Sequence, residues 1–310
     1  MSLLSIIIPA YNEAESIEHI APELHRVLDE VNIRFEIIFI DDGSTDDTYE
    51  KIKEQSKKAS NIHGYRFSRN FGKESAICAG LQKINGDCCI VMDSDLQHPP
   101  GTIPKMYRLW EEGYEIVEGI KAHRGKESVI NKLFSGMFYK IISSMSGFDM
   151  KTSSDFKLLD KRVVNELLQL KERNAFFRGL SFWVGFRSAK VEYNVAPRQY
   201  GKTKWNILSL SKYAIGNIVN FSAKPLQLVT GIGVILITAS FVLIIQTIVR
   251  YFLGYSLEGF TTIILLLLLI GGGLMISLGI IGLYIAKIYD EVKQRPRFII
   301  SESTGNSDIP

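Results

Sequence analysis

Short apolar runs alternate with longer amphipathic segments over the first 200 residues of the chain. Apolar runs with the length and composition of strands lie at residues 5–8, 35–40, 62–67 and 87–92. Apolar residues at helical spacing predict helices over residues 13–31, 46–58, 73–84 and 103–111. This repeated order of strand and helix predicts an α/β fold, in which helices cover both faces of an open, mainly parallel sheet.

Two stretches without any charged residue follow the alternating part, at residues 225–249 and 259–286. Each is longer than the roughly 20 apolar residues that a helix needs to cross a bilayer. A pair of buried core helices is the alternative, although core helices of this length usually carry a polar face. We therefore predict two transmembrane helices, at residues 225–250 and 259–286, joined by a short hairpin.

The charges that flank these stretches predict their orientation. The hairpin offers only Arg250, whereas six basic residues lie outside it: Lys212, Lys224, Lys287, Lys293, Arg295 and Arg297. The positive-inside rule then predicts a multi-pass protein of the inner (cytoplasmic) membrane, with both termini and a tail at residues 287–310 in the cytoplasm. Residues 205–224 mix apolar and polar side chains at helical spacing, which favours an amphipathic helix on the membrane surface over an ordinary domain helix.

Composition excludes few classes of function. The chain has 36 basic and 33 acidic residues, and its net charge of +3 is too small for a strongly electrostatic nucleic-acid binder, so we expect no nucleic-acid partner. The three cysteines lack the spacing of a metal site, and the apolar run around Cys88 and Cys89 predicts buried, reduced thiols. The strand-like run that begins at Leu3 argues against a secretory signal peptide.

Polar clusters follow three of the predicted strands directly, at residues 9–13, 41–44 and 93–95. Such residues are also common in turns and helix caps, so each cluster alone has a simple structural explanation. In open parallel sheets, however, ligands bind outside the carboxyl ends of the strands. Three clusters at these ends together favour a ligand site.

Asp93 and Asp95 form the cluster with the clearest chemical use. Two carboxylates that project from one strand end provide the hard oxygen ligands that Mg²⁺ or Mn²⁺ prefers. Such a metal takes its remaining ligands from water and substrate phosphates, and it can act as a Lewis acid on a leaving diphosphate. His98 could be a third ligand, but a hydrogen bond within the loop is the favoured interpretation.

The sequence resembles the family-2 glycosyltransferases. The resemblance is closer to the polyprenyl-phosphate hexosyltransferases, a group that includes dolichyl-phosphate mannose synthases and bacterial bactoprenol glucosyltransferases. The matching segments are IPAYNE (8–13), DDGS (41–44), RNFGK (69–73), MDSDLQ (92–97), SDF (154–156), ER (172–173), FRGL (177–180), WVG (183–185) and RQYGKTKW (198–205). The chain departs from the usual pattern at Ser94, His98 and Thr203, and none of these changes removes a required charge. The resemblance covers nearly the whole chain and implies a cytoplasmic catalytic domain of the Rossmann-like GT-A fold at residues 1–204.

The resemblance also implies a donor site. It assigns ten residues to the nucleotide-sugar: Pro9, Tyr11, Asn12, Glu13, Asp41, Asp42, Lys73, Asp93, Ser94 and Gln97. Carboxylates accept hydrogen bonds well from ribose hydroxyls or a base N–H. Asp93 and Asp95 are implied as metal ligands. Lys73 would meet the nucleotide or its phosphates, with a solvated lysine in the first turn of a helix as the alternative.

Asp155 is implied as a catalytic residue together with Asp95. A phosphate acceptor with a second pKa of about 6 is already largely ionised at neutral pH. We therefore favour positioning and electrostatics for Asp155 over obligatory proton removal, and a helix or turn cap is the alternative.

Cations are required to draw the acceptor phosphate towards the diphosphate. The candidates are Arg124, Arg173, Arg178, Arg198, Lys202 and Lys204. Arg198 and Lys204 are the strongest, because their loop leads into the predicted surface helix. Lys202 and Lys204 could instead attract anionic lipid headgroups. Gly201 would let this loop move as a lid.

The expected reaction is an inverting displacement that moves a hexose from a nucleotide-sugar to a polyprenyl (undecaprenyl) phosphate. UDP-glucose is the favoured donor; GDP-mannose, UDP-N-acetylhexosamine and modified-pentose donors remain open. A processive polysaccharide synthase is disfavoured because the Gln-x-x-Arg-Trp signature is absent and two spans make a poor channel. A non-catalytic nucleotide-sugar-binding scaffold is disfavoured by the intact aspartates. The resemblance also implies a homo-oligomer, with the tetramer as the expected form.

Overall fold

The computed structural model describes residues 2–122, 154–170, 172, 176–194, 224–254 and 259–305. The chain divides into two compact units. The first consists of Met1–Asn206 together with Arg295–Pro310, and the second is Ile207–Gln294.

The first unit contains the alternating strands and helices. Its strands are β1 (Leu3–Ala10), β2 (Arg34–Asp41), β3 (Ile62–Phe67), β4 (Cys88–Val91), β5 (Ile116–Lys121), β6 (Lys157–Asp160), β7 (Ser188–Tyr193) and β8 (Ile300–Ser303). Its helices are α1 (Ala14–Glu30), α2 (Thr48–Lys58), α3 (Lys73–Gln82), α4 (Ile103–Glu111), α5 (Lys161–Gln169) and α6 (Phe177–Trp183). The four strands and four helices predicted for the N-terminal part are confirmed, with small shifts at their ends.

The eight strands form one sheet in the order β7-β5-β6-β4-β1-β2-β3-β8. The pairs β1–β2, β1–β4, β2–β3 and β5–β7 are parallel, and the pairs that involve β6 and β8 are antiparallel. The predicted mainly parallel α/β sheet is therefore confirmed. In the register of β1 and β2, Ala10 lies beside Asp41, so the polar segments after these two strands begin at the same edge.

The central strands are buried because helices cover both faces of the sheet. One core contains side chains of β1, α1 and α4, such as Ile6, Leu24 and Met106, and the other contains side chains of β2 and α3. Helix α3 approaches β1 closely, because a Cβ atom at Gly80 would lie 2.2 Å from Ile7 Cγ2. Burial of one Ile or Leu side chain contributes roughly 1.5–3 kcal/mol to the free energy of folding. The two cores therefore fix the positions of the strand ends from which the polar segments extend.

Part of the predicted C-terminal tail belongs to the sheet. Strand β8 pairs with β3 in antiparallel orientation, and Phe298 stacks on Phe67 with their ring centroids 5.1 Å apart. Gly64 N donates to Thr304 Oγ1 (2.8 Å), and Thr304 N donates to Gly64 O (2.9 Å). The sequence predicts only a tail at residues 287–310, because no alternating pattern of strand and helix surrounds this four-residue strand.

The second unit contains two long apolar helices, α7 (Lys224–Phe252) and α8 (Phe260–Val292). By length and composition, Val229–Phe252 and Leu269–Val292 could each cross a membrane, with mean hydropathies of 2.5 and 2.1. A Cβ atom at Gly273 of α8 would lie 3.5 Å from Leu236 Cδ1 of α7, an ordinary van der Waals distance, so α7 and α8 are neighbours at this level without requiring a glycine there. Helix α8 extends past residue 286, where we predicted the second span to end. The predicted surface helix at residues 205–224 lies outside the described residues, apart from Lys224.

Candidate active site

The polar segments after β1 and β2 hold each other in place. Asn12 adopts a left-handed backbone conformation with φ of 53°, which asparagine tolerates better than most residues. Its backbone N–H donates to Ser44 Oγ (2.9 Å), and its side-chain oxygen accepts from Thr45 N (2.9 Å). The segments that follow β1 and β2 are therefore fixed to each other at the carboxyl ends of these strands, and together they are called the wall below.

Asp42 anchors the loop at residues 69–72 to this wall. Its carboxylate accepts from Phe71 N (2.6 Å) and Gly72 N (2.9 Å). Gly43 allows the close approach, because its φ is +67° and a Cβ atom there would lie 2.4 Å from the Arg69 carbonyl carbon. Burial raises the pKa of Asp42 to about 6, although the two backbone N–H groups oppose this shift.

Two other residues that the sequence assigns to the nucleotide-sugar, Asp41 and Glu13, form hydrogen bonds with neighbouring polar groups. Asp41 is fully buried (0% exposed), and its carboxylate accepts from Ser44 N (2.9 Å). Arg66 Nε lies 3.3 Å from the other carboxylate oxygen, without the geometry of a hydrogen bond. Glu13 accepts from the hydroxyl of Ser16 (2.9 Å) at the start of α1. Contact of Asp41 and Glu13 with a nucleotide-sugar stays a prediction.

The remaining predicted donor residues lie around the same edge. Pro9 is buried in β1, Tyr11 is half-buried, and Gln97 is half-buried beside the Asp93–Asp95 turn. Contact of these three with a nucleotide stays a prediction.

A cluster of two carboxylates and two cations lies at the end of β4. Lys73 Nζ is 2.5 Å from Asp93 Oδ1 and 2.8 Å from Asp155 Oδ2. Arg178 binds Asp155 as a fork, with Nε donating to Oδ1 (2.6 Å) and Nη2 donating to Oδ2 (2.8 Å). The fold thus brings together side chains from α3, the end of β4, the segment before β6, and α6. Lys73 is 41% exposed but paired with two carboxylates, so it is not simply a solvated lysine.

The charges in this cluster shift one another's pKa values. Burial would raise the pKa of the Asp155 carboxyl, but Lys73 and Arg178 outweigh burial and hold that pKa well below its usual range. Lys73 lowers the pKa of Asp93 in the same way, against burial. Burial would lower the pKa of Lys73, but Asp155 and Asp93 raise it. Asp155 is therefore ionised at neutral pH and is a poor proton acceptor there.

The segment from Asp93 to His98 presents the candidate metal ligands. Asp95 Oδ1 accepts from Gln97 N (3.1 Å), and Ser94 is buried. His98 Nδ1 accepts from Asp93 N (3.2 Å), and its ring stacks on Phe156 with centroids 4.8 Å apart. Burial lowers the pKa of His98, which agrees with a neutral imidazole as acceptor. The loop hydrogen bond that we favoured for His98 is thus present.

The donor set fits a divalent cation that keeps several non-protein ligands. Within the described residues, no group of three or more His, Cys, Asp or Glu side chains could hold a metal ion. Asp93 and Asp95 supply hard carboxylate oxygens, and Mg²⁺ or Mn²⁺ commonly binds through one or two carboxylates plus substrate phosphates.

Of the six predicted acceptor-binding cations, the structure describes only Arg178, which pairs with Asp155. The other five lie outside the described residues: Arg124, Arg173, Arg198, Lys202 and Lys204. Gly201, the predicted lid glycine, also lies outside them.

Sequence reasoning missed several polar residues that support the cluster. Glu74 accepts from Phe177 N (2.8 Å) at the start of α6, and burial and Asp155 raise the pKa of its carboxyl to about 7. Lys157 is buried beside Glu118 and Ser181. A lysine within the apolar run FKLL was the available signal for Lys157, whereas nothing local marked Glu74.

Comparison with known proteins identifies the class. The model of glycosyl transferase family 2 matches residues 5–168, more than half of the chain. The chain is 40% identical to a provisionally named glycosyltransferase, CsbB, of Bacillus subtilis (strain 168), over 99% of this chain and 94% of that protein. It is 34% identical to the bactoprenol glucosyl transferase of Shigella phage SfII, over 97% of this chain and 98% of that one.

Among solved structures, a glucosyl-3-phosphoglycerate synthase from Mycobacterium tuberculosis, in complex with Mn²⁺, UDP-glucose and phosphoglyceric acid, aligns with a TM-score of 0.47. That alignment covers 71% of this chain and 79% of that one at 19% identity. The family match and the full-length relatives show that the chain belongs to glycosyl transferase family 2. It is therefore a transferase of glycosyl groups with an α/β sheet of the GT-A type.

Proposed function

We propose that this protein transfers a hexose from a nucleotide-sugar to a polyprenyl phosphate at the cytoplasmic face of the inner membrane, with inversion at the anomeric carbon. The observation that carries the proposal is the cluster of Asp93, Lys73, Asp155 and Arg178 at the carboxyl end of the sheet. In the cluster, Asp93, a carboxylate suited to a metal, lies beside cations suited to phosphate.

The donor side consists of the wall after β1 and β2 and the Asp93–Asp95 segment. The loop that Asp42 holds would enclose the nucleoside, and Tyr11 and Asn12 would contact it. Asp93 and Asp95 would hold Mg²⁺ or Mn²⁺, which supplies charge neutralisation to a leaving nucleoside diphosphate. Lys73 lies next to Asp93 and would place an additional positive charge beside the same phosphates.

The acceptor side consists of Asp155 and Arg178. An acceptor phosphate oxygen forms the new bond to the anomeric carbon, and the bond from that carbon to the diphosphate oxygen breaks. Because the acceptor phosphate is largely ionised, no strong base is required. The low pKa of Asp155 agrees with a role in positioning Arg178 and Lys73 rather than in removing a proton.

A lipid acceptor is supported by two independent observations. Relatives that match almost the whole chain are named bactoprenol glucosyl transferases. The second unit has two helices long and apolar enough to span a bilayer. We assign the approach of the lipid phosphate to five further cations, namely Arg124, Arg173, Arg198, Lys202 and Lys204, with Gly201 allowing the loop to close.

The names of these relatives also favour glucose, and hence UDP-glucose, over GDP-mannose and the other open donors. The pocket contacts that select a sugar are not set by the Asp93–Asp95 motif, so the donor has to be measured. We also propose that the protein forms a homo-oligomer, with the tetramer as the expected form.

Incubation of the purified full chain with undecaprenyl phosphate, Mg²⁺ or Mn²⁺ and a panel of labelled nucleotide-sugars tests the function. We expect label in the organic phase from one donor, with UDP-glucose the most efficient. If folded, nucleotide-binding protein transfers no label from any donor, the protein is a scaffold or uses another acceptor. Free glycerol phosphate and inorganic phosphate as parallel acceptors separate the need for a lipid from the need for a phosphate.

A further inference from the structure

A buried lysine lies directly behind the carboxylate cluster. Lys157 is the first residue of β6, two positions after Asp155, and it is 3% exposed. Its ammonium lies 3.2 Å from Glu118 Oε1 and donates to Ser181 Oγ at 2.8 Å. Glu118 and Lys157 are register partners in β5 and β6, so their side chains lie on the same face of the sheet.

Each partner of Lys157 is bonded in turn to a residue beside the cluster. Glu118 Oε1 also accepts from the N–H of Ser154 (2.9 Å), which immediately precedes Asp155. The hydroxyl of Ser181 donates to the carbonyl of Arg178 (3.1 Å), one turn earlier in α6. The ammonium therefore connects the segment that carries Asp155 with the helix that carries Arg178.

Stability alone is a weak reason for an ion pair at this position. Burial lowers the pKa of Lys157, because desolvation disfavours the ammonium form, and Glu118 opposes this shift. Replacing a buried ion pair by apolar side chains of similar volume is often neutral or stabilising. An apolar side chain could fill the space of Lys157, but it could not direct hydrogen bonds to both a strand and a helix.

We propose that Lys157 is a positioning residue for sugar transfer, which holds α6 and the segment before β6 at the separation that lets Arg178 form its fork with Asp155. This inference rests on the proposed function, because it takes the Asp155–Arg178 pair as the acceptor side of the site. Without this connection, Asp155 keeps its charge but the pair loses its fixed geometry. Nucleotide binding at Asp42 depends on β2 and the loop at residues 69–72, and we expect it to remain.

Two variants remove the connection in different ways. Ser181→Ala removes only the hydroxyl, and the double variant Lys157→Met with Glu118→Gln removes both charges at nearly constant volume. We expect each to lower kcat for transfer to polyprenyl phosphate about tenfold or more, with the affinity for the nucleoside diphosphate within twofold of the unmodified protein. Ser181→Thr keeps the hydroxyl and should restore most of the rate.

Ser5→Ala is the matched control. Ser5 is equally buried, and its hydroxyl donates to Glu36 Oε1 (2.5 Å) towards the opposite end of the strands. The control should leave kcat unchanged even where it lowers stability. If Ser181→Ala and Ser5→Ala affect kcat equally, the effect is one of general packing and the proposal is overturned.

A structure of each variant supplies a readout that needs no acceptor. We expect the Arg178 Nε to Asp155 Oδ1 distance, 2.6 Å in the unmodified protein, to lengthen beyond hydrogen-bond range. An unchanged fork would overturn the positioning role. If the unmodified protein transfers no sugar to the lipid, the proposed function fails, and the structures still decide the role of Lys157. Should the double variant not fold, the milder Ser181→Ala carries the test.

Discussion

At the scale of single residues, the main feature of the site is the buried Asp155 carboxylate and its two ion pairs. Asp155 is buried and bonded to both Lys73 and Arg178, so its carboxylate holds two cations beside the Asp93–Asp95 segment. Removing one partner of a buried ion pair leaves the other without compensation, and this usually costs more than the pair contributes. Variants of Asp155 should therefore be read with a measurement of folding beside the measurement of activity.

Asp95 tests the metal assignment. Asp95→Asn keeps the size of the side chain and can still accept from Gln97 N, so we expect the protein to fold. Loss of one of two carboxylate ligands should lower turnover on the order of 10²-fold or more and weaken binding of Mn²⁺, as measured by calorimetry in the presence of UDP. Retained turnover with unchanged metal dependence would sink the metal assignment.

Asp42 gives the chain a testable dependence of stability on pH. Its pKa is raised from 3.8 to about 6 in the folded protein, so between these values the folded state holds a proton that the unfolded state has lost. The contribution of Asp42 to stability therefore falls as pH rises through this window and is constant above it. Relative to Asp42→Asn, the unmodified full chain should lose roughly 2 kcal/mol between pH 4.5 and 7. In thermal unfolding this corresponds to roughly 4–8 °C in Tm. An equal Tm difference at both pH values would contradict the assignment.

The short polar clusters that directly follow predicted strands were enough to predict part of the site. Asp42, Asp93 and Asp95 lie at the predicted sheet edge because strand ends converge in any parallel sheet. The partner of Asp155 was not predictable in this way. Arg178 was expected to bind phosphate directly, and its fork with Asp155 depends on how α6 packs, which no local pattern encodes.

At the scale of elements, the regular alternation of apolar runs with amphipathic segments identified the first four strands and the first four helices. Strand β6 is different: it pairs in antiparallel orientation with β4, across a long stretch of chain. Such an insertion between parallel strands is set by tertiary packing. The pairing nevertheless places Asp155, just before β6, beside the end of β4.

Strand β8 predicts a role for the C-terminal segment in the stability of the sheet. Glu302 lies 3.1 Å from the Arg66 guanidinium, which also contacts Asp41 and the Ser44 carbonyl in the segment after β2. Deletion of residues 298–310 removes this pair and the stack of Phe298 on Phe67. We expect a loss of roughly 3 kcal/mol, seen as a Tm lower by several degrees, and weaker UDP binding. Deletion of residues 306–310 alone is the control and should change neither. If deletion of residues 298–310 changed neither the Tm nor the affinity for UDP, β8 would be dispensable.

At the scale of the whole molecule, the chain combines a glycosyl transferase sheet with a unit of two apolar helices. The positive flanks predict that both termini lie in the cytoplasm. In intact cells, a membrane-impermeant maleimide should label S256C in the hairpin, whereas S307C should be labelled only after lysis. The three native cysteines are buried, so background labelling should be low. Labelling of S307C but not S256C in intact cells would reverse the topology.

The most direct test of the central claim is transfer by the unmodified protein and by Asp155→Asn in parallel. Both are mixed with Mn²⁺, labelled UDP-glucose and undecaprenyl phosphate, and label is followed into the organic phase. We expect transfer by the unmodified protein and a loss on the order of 10²-fold in the variant, with folding and UDP binding retained. Undiminished transfer by Asp155→Asn, or none by folded, UDP-binding unmodified protein with any donor, would contradict the account.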